Sequence, residues 1–178
     1  MKRALLLLSF VLPLAVSAQF VKLDGAKAIQ YKQVEDTKLF LHVFNSKDHK
    51  ASDRRPAIVF FFGGGWIGGT PKQFEPHCTY LASRGMVAIT AEYRVKSRNK
   101  TTPFECVKDG KSAIRWVRAN AAKLGVDPKR VAAGGGSAGG HVAAATGNCP
   151  GLEEEGENLK VSSKPDVLVL FNPVYDNS

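Results

Sequence analysis

Residues 130–146 read RVAAGGGSAGGHVAAAT. A short β-type run, Arg130 to Ala133, enters a glycine cluster, and a small-residue, helix-compatible segment follows from Ala138 to Thr146. Within the cluster, Gly135-Gly136-Ser137-Ala138-Gly139 matches G-x-S-x-G in the strand-turn-helix setting that gives the motif meaning. A strand that reverses into a helix within so few residues holds its serine in a strained conformation and leaves room only for small neighbours. The turn lifts the Ser137 hydroxyl above the sheet and sets it over a helix amino terminus, where developing negative charge is favoured. Ser137 is therefore the candidate nucleophile.

Outward from this stretch the chain alternates strands and helices. Ala57 to Phe62 is apolar throughout, as expected of a strand buried on both faces of a parallel sheet. It runs into a second glycine-rich stretch, Gly63 to Gly69. A helical segment over Gln73 to Ser83, closed by Gly85, leads to a buried strand over Met86 to Thr90. Thr102 with Pro103 and Glu105 forms a capping box ahead of an apolar stripe, Val107, Ile114, Val117, Ala121 and Leu124, and Gly125 ends that helical run. Asp166 to Phe171 reads as one more buried strand. Before all of these, Ala28 to Val34 and Lys38 to Phe44 form a hairpin across Glu35-Asp36-Thr37. The order predicts an α/β fold, a mostly parallel sheet with right-handed crossovers and helices on both faces.

Both glycine loops fall at the carboxyl end of a buried strand, where open α/β sheets place their sites. A hydroxyl attacking an ester carbonyl creates an oxyanion, and preorganised N–H donors stabilise it. Gly64 and Gly65 supply such donors, together with the N–H of Ala138, the residue after the serine. Phe62-Gly63-Gly64-Gly65-Trp66, Ala91-Glu92-Tyr93-Arg94 and Gly136-Ser137-Ala138-Gly139-Gly140 together resemble the hormone-sensitive-lipase-like esterases, the fold-3 group of the α/β-hydrolases, with exported bacterial esterases of the BD-FAE type as the nearest subgroup. The resemblance runs from about Ala28 to the end. It implies an α/β-hydrolase fold and a serine hydrolase that forms an acyl-enzyme at Ser137 on small acyl or carbohydrate esters, with no cofactor or metal. That family typically has His before the three glycines and often Asp before the serine; Phe62 and Gly136 stand there instead. The backbone donors survive these departures, but the side-chain hydrogen bonds that usually brace the loop do not. Trp66 either lines the acyl or alcohol pocket or packs beneath the loop, and Tyr93 and Arg94 read as structural.

Serine needs a base, and the base needs a carboxylate, in the chain order Ser, acid, His. Only His141 follows Ser137, one turn along a departing helix, and it reads as a packing residue. Asp176 is a minor candidate for the acid. The resemblance therefore implies that the base and acid lie beyond residue 178, that the last strands and helix of the fold are missing, and that this portion alone does not turn over substrate. A non-catalytic binding protein that keeps the sheet and pocket is the alternative.

Gly63-x-Gly65-x-x-Gly68, with Glu92 ending the next strand, also fits a dinucleotide-binding pattern. Trp66 and Ile67 are too bulky for a turn against a pyrophosphate, and Pro71 disfavours the helix required there. The chain carries a net charge of +9 over 178 residues, but its basic residues are dispersed and its one charge block, Glu153-Glu154-Glu155 with Glu157, is acidic. This fits a solvated surface and argues against a nucleic-acid partner. Lys2 and Arg3, the apolar run Ala4 to Leu14 and Val16-Ser17-Ala18 have the form of a signal peptide. Residues 1–18 are read as that signal and 19–178 as an incomplete hydrolase domain, exported and without stable membrane insertion once the signal is cleaved. Of Cys78, Cys106 and Cys149, one pair could bridge, and none has metal-ligand spacing.

Overall fold

Strand β3 (Arg55–Phe61) alternates its side chains between two cores: Ala57, Val59 and Phe61 enter one, Ile58 and Phe60 the other. In the computed structural model, which describes residues 21–175, β3 is an inner strand of a six-stranded sheet. The signal read over residues 1–18 and the candidate acid Asp176 lie outside the described residues.

The sheet order is β1-β2-β4-β3-β5-β6, with β1 (Lys27–Val34), β2 (Thr37–Phe44), β4 (Val87–Ala91), β5 (Val126–Gly136) and β6 (Val167–Phe171). β1 and β2 form the expected antiparallel hairpin, and β2 pairs antiparallel with β4. From β4 through β3 and β5 to β6 every pairing is parallel. A 3-10 turn at Pro71–Phe74 and helix α1 (Glu75–Ser83) carry the chain from β3 to β4, with Phe74, Cys78 and Ala82 in the smaller core. Helix α3 (Pro103–Ala119) and helix α5 (Ala138–Asn148) pack together over the larger core on the opposite face. Short helices α2 (Lys96–Asn99) and α4 (Ala121–Leu124) flank α3. The capping box is present: the Thr102 hydroxyl accepts from the backbone at the start of α3, and Glu105 accepts the Thr102 N–H at 2.8 Å.

Three expectations need correction. β6 is not a buried strand. Leu168 and Leu170 pack on the larger core, but Val167 is 58% and Phe171 43% exposed, because β6 is the sheet edge and one face of it is uncovered. The acidic block is not simply a solvated surface either. Glu154 pairs with Lys32 at 2.6 Å and Arg94 at 2.9 Å, and Glu153 with Lys111 at 2.7 Å and Arg115 at 2.5 Å. Glu157 also pairs with Arg115, while Glu155 is exposed. Lys111 and Arg115 sit on α3, Lys32 on β1 and Arg94 in the loop after β4, so the block straps the 149–166 connection to the helix and its neighbours. Finally, all three cysteines are free thiols. Cys78 and Cys106 lie in cores on opposite faces of the sheet, so these two cannot bridge, and Cys149 is exposed.

Candidate active site

β5 ends at Gly136 and α5 begins at Ala138, leaving Ser137 alone to turn the chain. Its φ of 52° and ψ of −121° are costly for a residue with a side chain, so the surroundings must hold it there. They do so through three backbone hydrogen bonds. The Ser137 N–H donates to the Phe171 carbonyl at 3.0 Å, and the Ser137 carbonyl accepts from His141 at 3.0 Å and Val174 at 3.3 Å. Helix α5 then runs so close under β3 that a Cβ at Gly139 would stand 2.1 Å from the Phe61 carbonyl oxygen. The Ser137 side chain is exposed, and nothing among the described residues hydrogen-bonds its hydroxyl.

The upstream glycine loop meets this turn directly. A Cβ at Gly63 would lie 2.9 Å from the Gly136 carbonyl oxygen and 3.4 Å from the Ser137 Cβ. Gly64, at φ +136°, turns the loop by accepting from the Ile67 and Gly68 N–H groups at 3.0 and 3.1 Å. Any side chain there would strike the Gly68 carbonyl at 2.4 Å. The space beside Gly65 is open. The N–H groups of Gly64, Gly65 and Ala138 have no acceptor among the described residues. The structure thus puts Ser137 and Ala138 at the turn, brings the Gly63 backbone against it, and sets Gly64 and Gly65 one and two residues further along the same loop. Unpaired backbone donors beside an exposed hydroxyl are what an anionic tetrahedral centre requires.

No histidine is arranged as a base for Ser137 among the described residues. His141 packs its ring edge-on to Trp66, with centroids 5.2 Å apart at 90°, and its buried Nδ1 has no partner. Burial pushes its pKa down, so the ring is neutral near pH 7. His42 bonds Glu92 at 3.0 Å, His49 bonds the Leu124 carbonyl at 3.0 Å, and His77 lies among Phe60, Phe74 and Phe171. No group of three His, Cys, Asp or Glu side chains among the described residues could hold a metal ion.

Trp66 is 9% exposed, packs in the larger core, and also walls a cavity of about 320 Å³. His141 and Val174, both bonded to the Ser137 carbonyl, line the same cavity, which places it beside Ser137. Phe104, Leu152 and Tyr175 complete walls that the sequence did not disclose. They come from separate segments and share no spacing, so no local pattern could have found them.

A family model described as BD-FAE matches residues 41–172. The probable carboxylic ester hydrolase LipM of Mycobacterium tuberculosis is 33% identical over 140 residues, which cover 76% of this chain and 32% of that protein. Carboxylesterase NlhH of the same organism is 34% identical over 94 residues, 52% of this chain and 28% of the relative. Among solved structures, Thermogutta terrifontis esterase 2 phosphoramylated by tabun superposes with a TM-score of 0.87 at 51% identity, covering 89% of this chain and 60% of that one. The propionate-bound form of the same esterase gives 0.85 at 53% identity, covering 87% and 57%. The chain thus spans about a third of the length of these curated relatives and about three fifths of the solved chains.

Proposed function

This chain belongs to the BD-FAE family of carboxylic ester hydrolases with the α/β-hydrolase fold, and we propose that within it Ser137 is the nucleophile that becomes acylated. The Ser137 oxygen attacks the ester carbonyl, and the Gly64, Gly65 and Ala138 N–H groups receive the oxyanion. Collapse of that intermediate expels the alcohol, and water then releases the acid from the acyl-enzyme. The observation that carries this reading is the pairing of a strained, exposed serine with three unpaired backbone donors on abutting turns. The cavity beside Trp66 suits a small acyl group or the alcohol side of a small or carbohydrate ester, being at the lower end of ligand-pocket sizes.

The serine proton must pass to a base, and none touches the hydroxyl among the described residues. On this reading the base and its carboxylate lie beyond residue 178. Residues 1–178 then hydrolyse p-nitrophenyl acetate no faster than the Ser137→Ala variant. They nevertheless react slowly and selectively with a fluorophosphonate, because the donors stabilise the negative charge on phosphorus-bound oxygen. Mass spectrometry of the digested adduct tests this: the label is expected on the Ser137 peptide of the folded chain and is lost in Ser137→Ala. Labelling no greater at Ser137 than at the other serines would refute the assignment.

A further inference from the structure

Phe62 stands directly before Gly63-Gly64-Gly65, and its ring can offer the loop no side-chain hydrogen bond. Two side chains from separate elements reach the same peptide unit. The Tyr93 hydroxyl, just past β4, donates to the Phe62 carbonyl at 2.5 Å. The Gln73 carboxamide oxygen, in the 3-10 turn before α1, accepts from the Gly63 N–H at 2.6 Å. Carbonyl and N–H belong to one peptide plane, so the two bonds together fix its rotation. A single bond would leave the plane free to rock about it. Ring stacking adds a third constraint, with the Tyr93 and Phe62 rings 4.1 Å apart at 17°.

Resting on the nucleophile assignment above, we infer that Tyr93 and Gln73 are positioning residues that clamp the Phe62–Gly63 peptide and thereby aim the Gly64 and Gly65 N–H groups at the reacting centre. Glycine-rich backbone has low barriers to peptide rotation, and a rotation here would carry the two donors away from the serine. The clamped unit is also the part of the loop that touches the turn, since Gly63 abuts Gly136 and Ser137. Beyond it the Trp66 and Ile67 carbonyls accept from the Lys96 and Ser97 N–H groups at 2.9 Å each, and the Gly69 carbonyl accepts from the Arg98 guanidinium at 2.9 Å. Tyr93 is suited to the role at any working pH. Burial, and then the neighbouring Cys106 thiol, push its hydroxyl well above the usual phenol range, so it stays a donor.

Tyr93→Phe keeps the stacked ring and deletes only the hydroxyl; Gln73→Met deletes the acceptor, and Gln73→Glu retains one. Fluorophosphonate labelling of Ser137 in the full chain is expected to show a maximal rate lowered roughly tenfold in Tyr93→Phe and Gln73→Met, the scale of one hydrogen bond. The probe concentration for half-maximal rate should be unchanged, and Gln73→Glu should recover most of the rate. Wild-type rates in Tyr93→Phe and Gln73→Met would overturn the clamp and leave the nucleophile assignment standing. If even the unmodified chain fails to label at Ser137, that assignment falls instead, and hydrogen exchange decides the clamp. The Gly63 amide should then exchange at least tenfold faster in Gln73→Met and be restored in Gln73→Glu, while unaltered protection would overturn it.

Discussion

At the scale of single residues, the active-site turn depends on side chains that are absent. Gly139 is the sharpest case, because a methyl group there would lie 2.1 and 2.3 Å from the Phe61 and Phe62 carbonyl oxygens, and backbone in the middle of a sheet cannot withdraw. Gly139→Ala should therefore cost at least the roughly 1–3 kcal/mol of ordinary overpacking, read as a lowered denaturation midpoint. Gly136→Ala is its control. The nearest atom to an added Cβ there is 3.6 Å away, an ordinary contact, so its stability should stay within about 1 kcal/mol of wild type. Equal effects of the two would contradict this account of the turn. These roles were legible in the sequence because G-x-S-x-G between strand and helix leaves one steric solution. Gln73 was not legible: its partner is a backbone N–H ten residues earlier, and a lone glutamine in a polar segment carries no signal.

At the scale of elements, the acidic strap was misread because its partners are remote in sequence. Glu154 meets Lys32 and Arg94, the latter joined to the fully buried Asp109 on α3 at 2.8 Å. Burial alone would raise the Glu154 carboxyl, but the hydrogen bond and charge of Lys32, with the charge of Arg94, hold it below the usual carboxylate range. Glu153 is lowered in the same way by Lys111 and Arg115. A carboxyl whose folded pKa is depressed contributes stability above its unfolded value, about 4.3, and loses it as pH falls through the folded value. The melting temperature should accordingly drop on acidification below about pH 4.3, and Glu154→Gln should be less stable than wild type at pH 7 with a shallower acid slope. A variant with the same slope as wild type would remove Glu154 from the account. The start of helix α3, by contrast, was readable to the residue, since its capping box is a local signal, but the run read through to Gly125 breaks at Asn120, so Ala121 and Leu124 belong to α4 and Gly125 closes α4, not α3. β6 was read as buried because Val167 to Phe171 is uniformly apolar, and composition cannot tell an inner strand from an edge with one bare face.

At the scale of the whole molecule, the parallel pairing of β3 with β5 assembles the site. Phe61 lies opposite Gly135, so the loop leaving one strand and the turn leaving the other emerge side by side although they are far apart in the sequence. The β-α-β order and the apolar strands made this arrangement predictable. The extent of cover was not, because it depends on what packs against β6. An apolar groove of about 660 Å³ lined by Ile58, Phe60, Leu81, Val131 and Val169 lies open between α1 and β6. The claim that the two loops form one anion-stabilising centre is met most directly by a crystal structure of the chain phosphonylated at Ser137. A phosphoryl oxygen should lie about 2.7–3.1 Å from the Gly64, Gly65 and Ala138 nitrogens. An adduct whose oxygen points to solvent, with those three N–H groups still unpaired, would contradict it.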